Sequence, residues 1–97
     1  MSTKSGLQRE VLSLYRRALR MVRTKPPATQ PKFRLFVQHN FRILASSISP
    51  RDVEAIEHLL RRGRRQIEMY EDHAVKDCWV SQEMRDWAKE HWPKRDT

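Results

Sequence analysis

Between Val53 and Ala74 the small and apolar residues return at steps of 3, 4, 3, 4, 3 and 4: Val53, Ile56, Leu60, Gly63, Ile67, Tyr70 and Ala74. On an α-helix this spacing draws one seam along one face; a strand, with its period of two, would scatter the same residues over both faces. Such a seam is buried by packing against other helices, so the chain is committed to helix-on-helix architecture. The composition points the same way, with only two glycines in 97 residues and a third of the chain charged. A chain this short buries a limited core and is marginal on its own, which leaves room for a partner to supply burial.

The rest of the pattern supplies two more helices. Leu7, Val11, Leu14, Tyr15, Ala18, Met21 and Val22 share one broad arc at 100° per residue, with Arg9, Arg16, Arg20 and Arg23 on the opposite arc. This predicts a helix over about 6–23 with Ser5 as its cap. The run TKPPATQP, three prolines in eight residues, breaks it. Phe33, Phe36, Val37, Phe41 and Leu44 then have core spacing, predicting a helix over about 31–45 with Pro31 near its first turn. Ser49-Pro50-Arg51-Asp52 reads as the start signal of the third helix, with Ser49 as cap, Pro50 in the first turn and Asp52 completing the box, so that helix is expected over about 50–75. Short links make successive helices antiparallel neighbours. The expected fold is all-α, a compact antiparallel three-helix bundle over 1–75 followed by a tryptophan-containing tail over 76–97. In the tail, Ser81 can cap a short helix over 82–91 that Pro93 ends, with Val80, Met84 and Trp87 along one side; the alternative is an extended segment that orders on binding.

Charge is unevenly distributed. The formal net charge is +8, and residues 1–35 alone hold nine Lys/Arg against one acid, Glu10. An amphipathic, arginine-rich, acid-poor start is what mitochondrial targeting segments look like. Here the same residues build the first helix, so any targeting by them is expected without cleavage; the plainer reading is a solvated basic face. No apolar run reaches the ~20 residues that a membrane-spanning helix needs. The single cysteine, Cys78, excludes an internal disulfide framework and a self-contained cysteine metal site. His39, His58, His73 and His91 never recur at the i, i+4 spacing of a helical metal site, and no phosphate loop or nucleophile motif is present, so an enzyme is not expected. Clustered arginine supplies the electrostatic part of nucleic-acid binding, which keeps a small basic nucleic-acid-binding protein as an alternative, but no recognition motif accompanies it.

Arg61-Arg62-Gly63-Arg64-Arg65 is the second unusual run. Glycine inside a helix costs about 1 kcal/mol relative to alanine. Close approach of a neighbouring helix at Gly63 would offset that cost; so would close approach of a partner. Glu57 and Glu68 are spaced to support Arg61 and Arg64 along the helix. The arginines suit bidentate contacts to carboxylates or phosphates, and the plain reading is a solvated, salt-bridged face. Trp79, Trp87 and Trp92 load the tail with apolar surface, and at least one is expected to meet a partner.

With the first helix placed, LQREVLSLYRRALR resembles the signature of the LYR-motif family, with Leu14-Tyr15-Arg16 as the eponymous triplet and Phe36 as the expected downstream phenylalanine. Together with FVQHNFR and SPRDVEAIEHLLRRGRRQIE, it is similar to the branch of that family that assists assembly of succinate dehydrogenase. The resemblance spans about residues 7–72, and Arg61 to Gln66 is its most specific piece. It implies a non-enzymatic chaperone of the mitochondrial matrix that binds the iron–sulfur subunit of succinate dehydrogenase, assists cluster insertion and shields that subunit before assembly. It implies no directly bound cofactor, because the clusters belong to the client. It also implies contact with a J-type iron–sulfur co-chaperone. Many members bind acyl carrier protein, whose acylated phosphopantetheine arm enters the bundle; an acyl-carrier-dependent subunit of another mitochondrial complex is therefore the rival within the family. The residues expected to meet partners are Leu14, Tyr15, Arg16, Arg20 and Phe36 on the first two helices, with Arg23 beside them toward the acidic carrier, and Arg61, Arg62, Gly63, Arg64 and Arg65 toward the client.

Overall fold

The computed structural model describes residues 6–47 and 51–92, and these form four α-helices: α1 (Gly6–Arg23), α2 (Gln30–Ser47), α3 (Val53–Glu71) and α4 (Gln82–His91). Among the described residues there is no strand. The expected roles of Ser5, Ser49, Pro50 and Pro93 lie outside the described residues.

α3 is shorter at both ends than the helix expected over about 50–75. It starts at Val53, and Asp52 is its cap: the Asp52 carboxylate accepts the Ala55 amide at 3.1 Å, satisfying one of the orphan donors of the first turn. It stops at Glu71, because the Asp72 carboxylate accepts the Ala74 amide at 2.9 Å and turns the chain away. The outermost seam positions fall out of the core accordingly: Val53 is 49% exposed and Ala74 is exposed.

The core is built from Leu14, Ala18, Met21 and Val22 of α1, Phe33, Phe36 and Val37 of α2, and Leu60 and Ile67 of α3. Four of these nine come from α1, so the basic first helix is also the keel of the fold. Tyr15 meets Phe41 edge-on at 5.0 Å, so α1 and α2 run in opposite directions from the link that joins them. Phe33 and Phe36 both meet Tyr70 edge-on, at 5.5 and 5.2 Å, which brings the start of α2 to the end of α3. α1 lies closely against both α2 and α3, whereas the backbones of α2 and α3 do not approach each other to the same extent. The three helices are therefore splayed along one side and not evenly packed around an axis.

The proline-rich link is tied down by a residue that periodicity does not single out. Lys25 is only 4% exposed. Its ammonium donates to the carbonyls of Asp72 (3.1 Å) and Val75 (2.6 Å) and stands 5.2 Å from the Phe33 ring centroid. A cation at the C-terminal end of α3 satisfies carbonyls there and complements the helix dipole. Thr29 adds a hydroxyl bond to the Lys76 carbonyl at 2.7 Å. Lys25→Met keeps the unbranched stem and removes the donor; we expect a loss of about 1.5–3 kcal/mol, the range for a hydrogen bond to a charged group, measured by urea unfolding. Faster amide exchange at Val75 would locate the damage.

α1 and α3 are also clamped by charge. Arg17 donates to both carboxylate oxygens of Glu71, from Nε at 2.8 Å and from Nη2 at 2.7 Å, and its Nη1 lies 4.0 Å from Glu68. The Arg17 hydrogen bonds hold the Glu71 carboxyl below its ordinary value of 4.5. A carboxyl lowered by folding stabilises the fold at neutral pH and loses that contribution as the pH falls below about 4.5. Both side chains are about a third exposed, 36% and 35%, so screening limits the effect to about 1 kcal/mol or less. Glu71→Gln is expected to flatten the acid limb of a stability-against-pH curve by that amount and to leave the alkaline limb unchanged.

Within the described part of the tail a helix forms over Gln82–His91, the first of the two expectations. Ser81 caps α4, its hydroxyl accepting the Met84 amide at 3.1 Å. α4 packs on α2: Trp87 meets His39 edge-on at 5.8 Å, and the Trp92 indole N–H donates to Gln38 Oε1 at 2.7 Å. Two tryptophans thus fold back onto the bundle, while Trp79 remains 76% exposed.

Candidate functional site

The splay of α2 from α3 leaves a half-open groove between them with a cavity volume of about 190 Å³. Phe36, Val37, Phe41 and Leu44 of α2 form one wall, and Leu59, Leu60 and Ile67 of α3 the other. Leu14 lines it from α1. Asn40, Arg62 and Gln66 supply its polar groups. For scale, an apolar cavity of about 150 Å³ takes up benzene. An apolar cleft with a few polar groups is the usual form of a site for an apolar ligand.

Of the eleven residues singled out by sequence, the groove brings together four: Leu14, Phe36, Arg62 and Gly63. The LYR triplet is divided among three environments. Leu14 is buried, Tyr15 is half-buried against Phe41, and Arg16 is exposed. Arg20 is exposed on α1. Arg61 and Arg65 are exposed outside the groove lining, and Arg64 is half-buried. Asn40, Leu59 and Gln66 belong to the groove and were missed as site residues: Leu59 lies off the heptad seam, and a lone Asn in an apolar helix carries no periodic signal.

Two sequence expectations about the arginine run are corrected. Glu57 and Glu68 make no ion pair with Arg61 or Arg64 among the described residues; Glu68 faces Arg17 instead. The interhelical distance, not the spacing along α3, decided that choice. The approach of α1 at Gly63 is also not close enough to require glycine. A Cβ built there would meet one atom within 4 Å, Leu14 Cδ2 at 3.5 Å, an ordinary van der Waals distance. The four arginines therefore have no carboxylate partner within the described part of the molecule, and their planar forks face no internal competitor.

Metal chemistry finds no foothold in the described residues: no three His, Cys, Asp or Glu side chains converge. The Cys78 thiol is pushed up to about 11, chiefly by burial and then by the neighbouring Asp77 carboxylate. It is a protonated thiol at neutral pH, unsuited to ligation or nucleophilic attack. Among the described residues, no helix is long and apolar enough to cross a membrane.

An arginine-rich α1 carrying Leu-Tyr-Arg, packed on a phenylalanine-bearing α2, defines a class. The family model described as Complex 1 protein (LYR family) matches residues 9–69, well over half of the chain, and the chain belongs to the LYR family. Within it, the chain is 45% identical over 77 residues to "Succinate dehydrogenase assembly factor 1, mitochondrial" of Schizosaccharomyces pombe, covering 79% of this chain and 96% of that one. It is 43% identical over 70 residues to "Succinate dehydrogenase assembly factor 1A, mitochondrial" of Dictyostelium discoideum, covering 70% and 76%. It is 48% identical over 69 residues to the cattle assembly factor 1, covering 71% of this chain and 53% of that protein. No solved structure matches the chain. The family match ends at residue 69, before α4.

Proposed function

We propose that this chain is an assembly factor of the mitochondrial matrix that binds the iron–sulfur subunit of succinate dehydrogenase, assists cluster insertion into it and shields it until it joins the enzyme. The names of the relatives support an assembly role in succinate dehydrogenase. The observation that carries the client site is the arginine run of α3: among the described residues Arg61, Arg62, Arg64 and Arg65 have no carboxylate partner, while Arg17 on α1 takes Glu71 and Glu68. Desolvating such a fork against a partner carboxylate is favourable, because no internal pair has to be broken first. The work is binding, not catalysis. The clusters are ligated by the client, and a J-type co-chaperone delivers them.

An acyl carrier protein is the second partner in this reading. An acyl carrier protein would set its acidic surface against Arg16, Arg20 and Arg23, all exposed on α1. Its saturated chain would enter between α2 and α3 and reach Leu14. Capture of partners from mitochondrial matrix extract on the tagged protein, at moderate and high salt with mass spectrometry, tests both parts. Recovery of the succinate dehydrogenase iron–sulfur subunit is the expected result. Recovery of acyl carrier protein with subunits of another complex, and none of succinate dehydrogenase, would overturn the client assignment. Recovery of nucleic acid alone, lost steeply with salt, would overturn the whole reading.

A further inference from the structure

Trp79 is the tryptophan that the bundle does not take back: it is 76% exposed, while Trp87 and Trp92 fold onto α2. Its exposure is imposed by the residues on either side. The irregular segment 75–81 is pinned at Val75 by the Lys25 ammonium, at Lys76 by the Thr29 hydroxyl and at Ser81 by the cap of α4. Asp77 pairs with Lys32 at 3.3 Å and accepts the Cys78 amide at 2.8 Å. Cys78 packs against the core, and Val80 is buried. With both neighbours turned inward, the indole is held out in solvent on an anchored backbone. A side chain of this size contributes most when buried, and tryptophan is a common anchor of protein interfaces.

Its surroundings define what would cover it. Trp79 lines an open hollow of about 350 Å³ together with Lys32, Asp77, Cys78, Val80 and Arg85. The Asp77 carboxylate is already matched by Lys32, whereas Arg85 has no carboxylate partner among the described residues. The hollow therefore offers an aromatic face, the side of a buried valine and one uncommitted guanidinium. We propose that Trp79 and Arg85 form a docking surface for a segment of a partner protein that carries an apolar side chain beside a carboxylate. The apolar side chain covers the indole next to Val80, and the carboxylate takes the Arg85 fork, a bidentate pair that the described part of this chain leaves open. An anionic membrane suits this surface less well, because α4 presents the exposed acids Glu83, Asp86 and Glu90 beside it. The surface belongs to the segment after α3 and to α4, not to the arginine run in the middle of α3, so it is a contact additional to the one proposed for the client.

The test is a random-peptide display library selected on the full chain after depletion on Trp79→Ala. The expected result is a consensus that sets an Asp or Glu beside a large apolar residue. A selected peptide is then titrated calorimetrically against variants. Trp79→Ala is expected to weaken it about 30-fold or more, the scale of an interface anchor, and Arg85→Gln about tenfold, the scale of a hydrogen bond to a charged group. Both side chains are exposed, so Tm should stay within about 2–4 °C of wild type. Arg62→Glu with Arg65→Glu should leave the peptide's affinity unchanged, which keeps this surface distinct from the client site. A basic or purely apolar consensus, or no peptide that depends on Trp79, would overturn the proposal, as would wild-type affinity in Arg85→Gln. A larger fall in Tm for Trp79→Ala would make the indole a packing residue and overturn it too. Self-association that Trp79→Ala abolishes would assign the surface to a second copy of this chain, and Trp79-dependent binding to anionic phospholipid vesicles without a peptide consensus would assign it to a membrane; either result overturns the peptide site.

Discussion

Phe33→Ala is expected to lower stability by about 3–5 kcal/mol, the usual cost of emptying a fully buried phenylalanine site. Phe33 has no exposed surface and sits where three segments meet: Tyr70 of α3 edge-on at 5.5 Å, the Lys25 ammonium 5.2 Å from its ring centroid, and the core side chains of α1. Alanine would remove the edge contact and the ring beneath the cation together. It would also open the end of the bundle where α2 starts and α3 stops. A chain of 97 residues has roughly 5–15 kcal/mol to lose. The Tm, followed by circular dichroism, should fall by about 15–30 °C. Phe33→Leu, which fills most of the volume, should cost about 1.5 kcal/mol or less. A drop below about 1 kcal/mol for Phe33→Ala would mean that the end of the bundle recloses around the vacancy.

The second large effect is on binding. Arg62→Glu combined with Arg65→Glu is expected to reduce capture of the succinate dehydrogenase iron–sulfur subunit about 100-fold or more, since each reversal replaces attraction by repulsion at a desolvated contact. Both arginines are exposed and neither holds an internal acid among the described residues, so stability should change by only about 0.5 kcal/mol. Measured affinity for the purified subunit decides it. Unchanged affinity would remove the α3 run from the client surface. A large fall in Tm would show that one of the arginines is structural. Arg16→Glu with Arg20→Glu on α1 is the informative control: if the client lies on α3 and the acidic carrier on α1, that pair affects the carrier and spares the client.

α4 gives α2 a second packed face. Phe33, Phe36 and Val37 point into the core, while His39 and Gln38 receive Trp87 and Trp92. This is why α2, the least amphipathic pattern of the four, is still a well-formed helix. An apolar set spread around a helix means burial on more than one side.

Sequence by itself determined the all-helical class, the apolar face of α1, the seam of α3 from Ile56 to Tyr70, and the resemblance that the family match then established. These follow from local rules: a period of 3.6 residues selects a face whatever later packs on it, and a motif is legible without a fold. Tertiary structure alone decided the ends and the gaps. Asp72 ends α3 by bonding the Ala74 amide, and the Asp72 and Val75 carbonyls of the turn that follows are what Lys25 reaches across 47 and 50 residues of chain. A buried lysine in a proline-rich link has no periodic signal, because its partners exist only once a distant helix has stopped. Glu68 serves Arg17 and not Arg64 for the same kind of reason: proximity between helices is set by how they dock. Gly63 is the clearest division. Periodicity places it on the seam, but whether a seam glycine is needed depends on how closely α1 docks there, and a Cβ at 63 would meet Leu14 Cδ2 at 3.5 Å, an ordinary contact that does not require glycine.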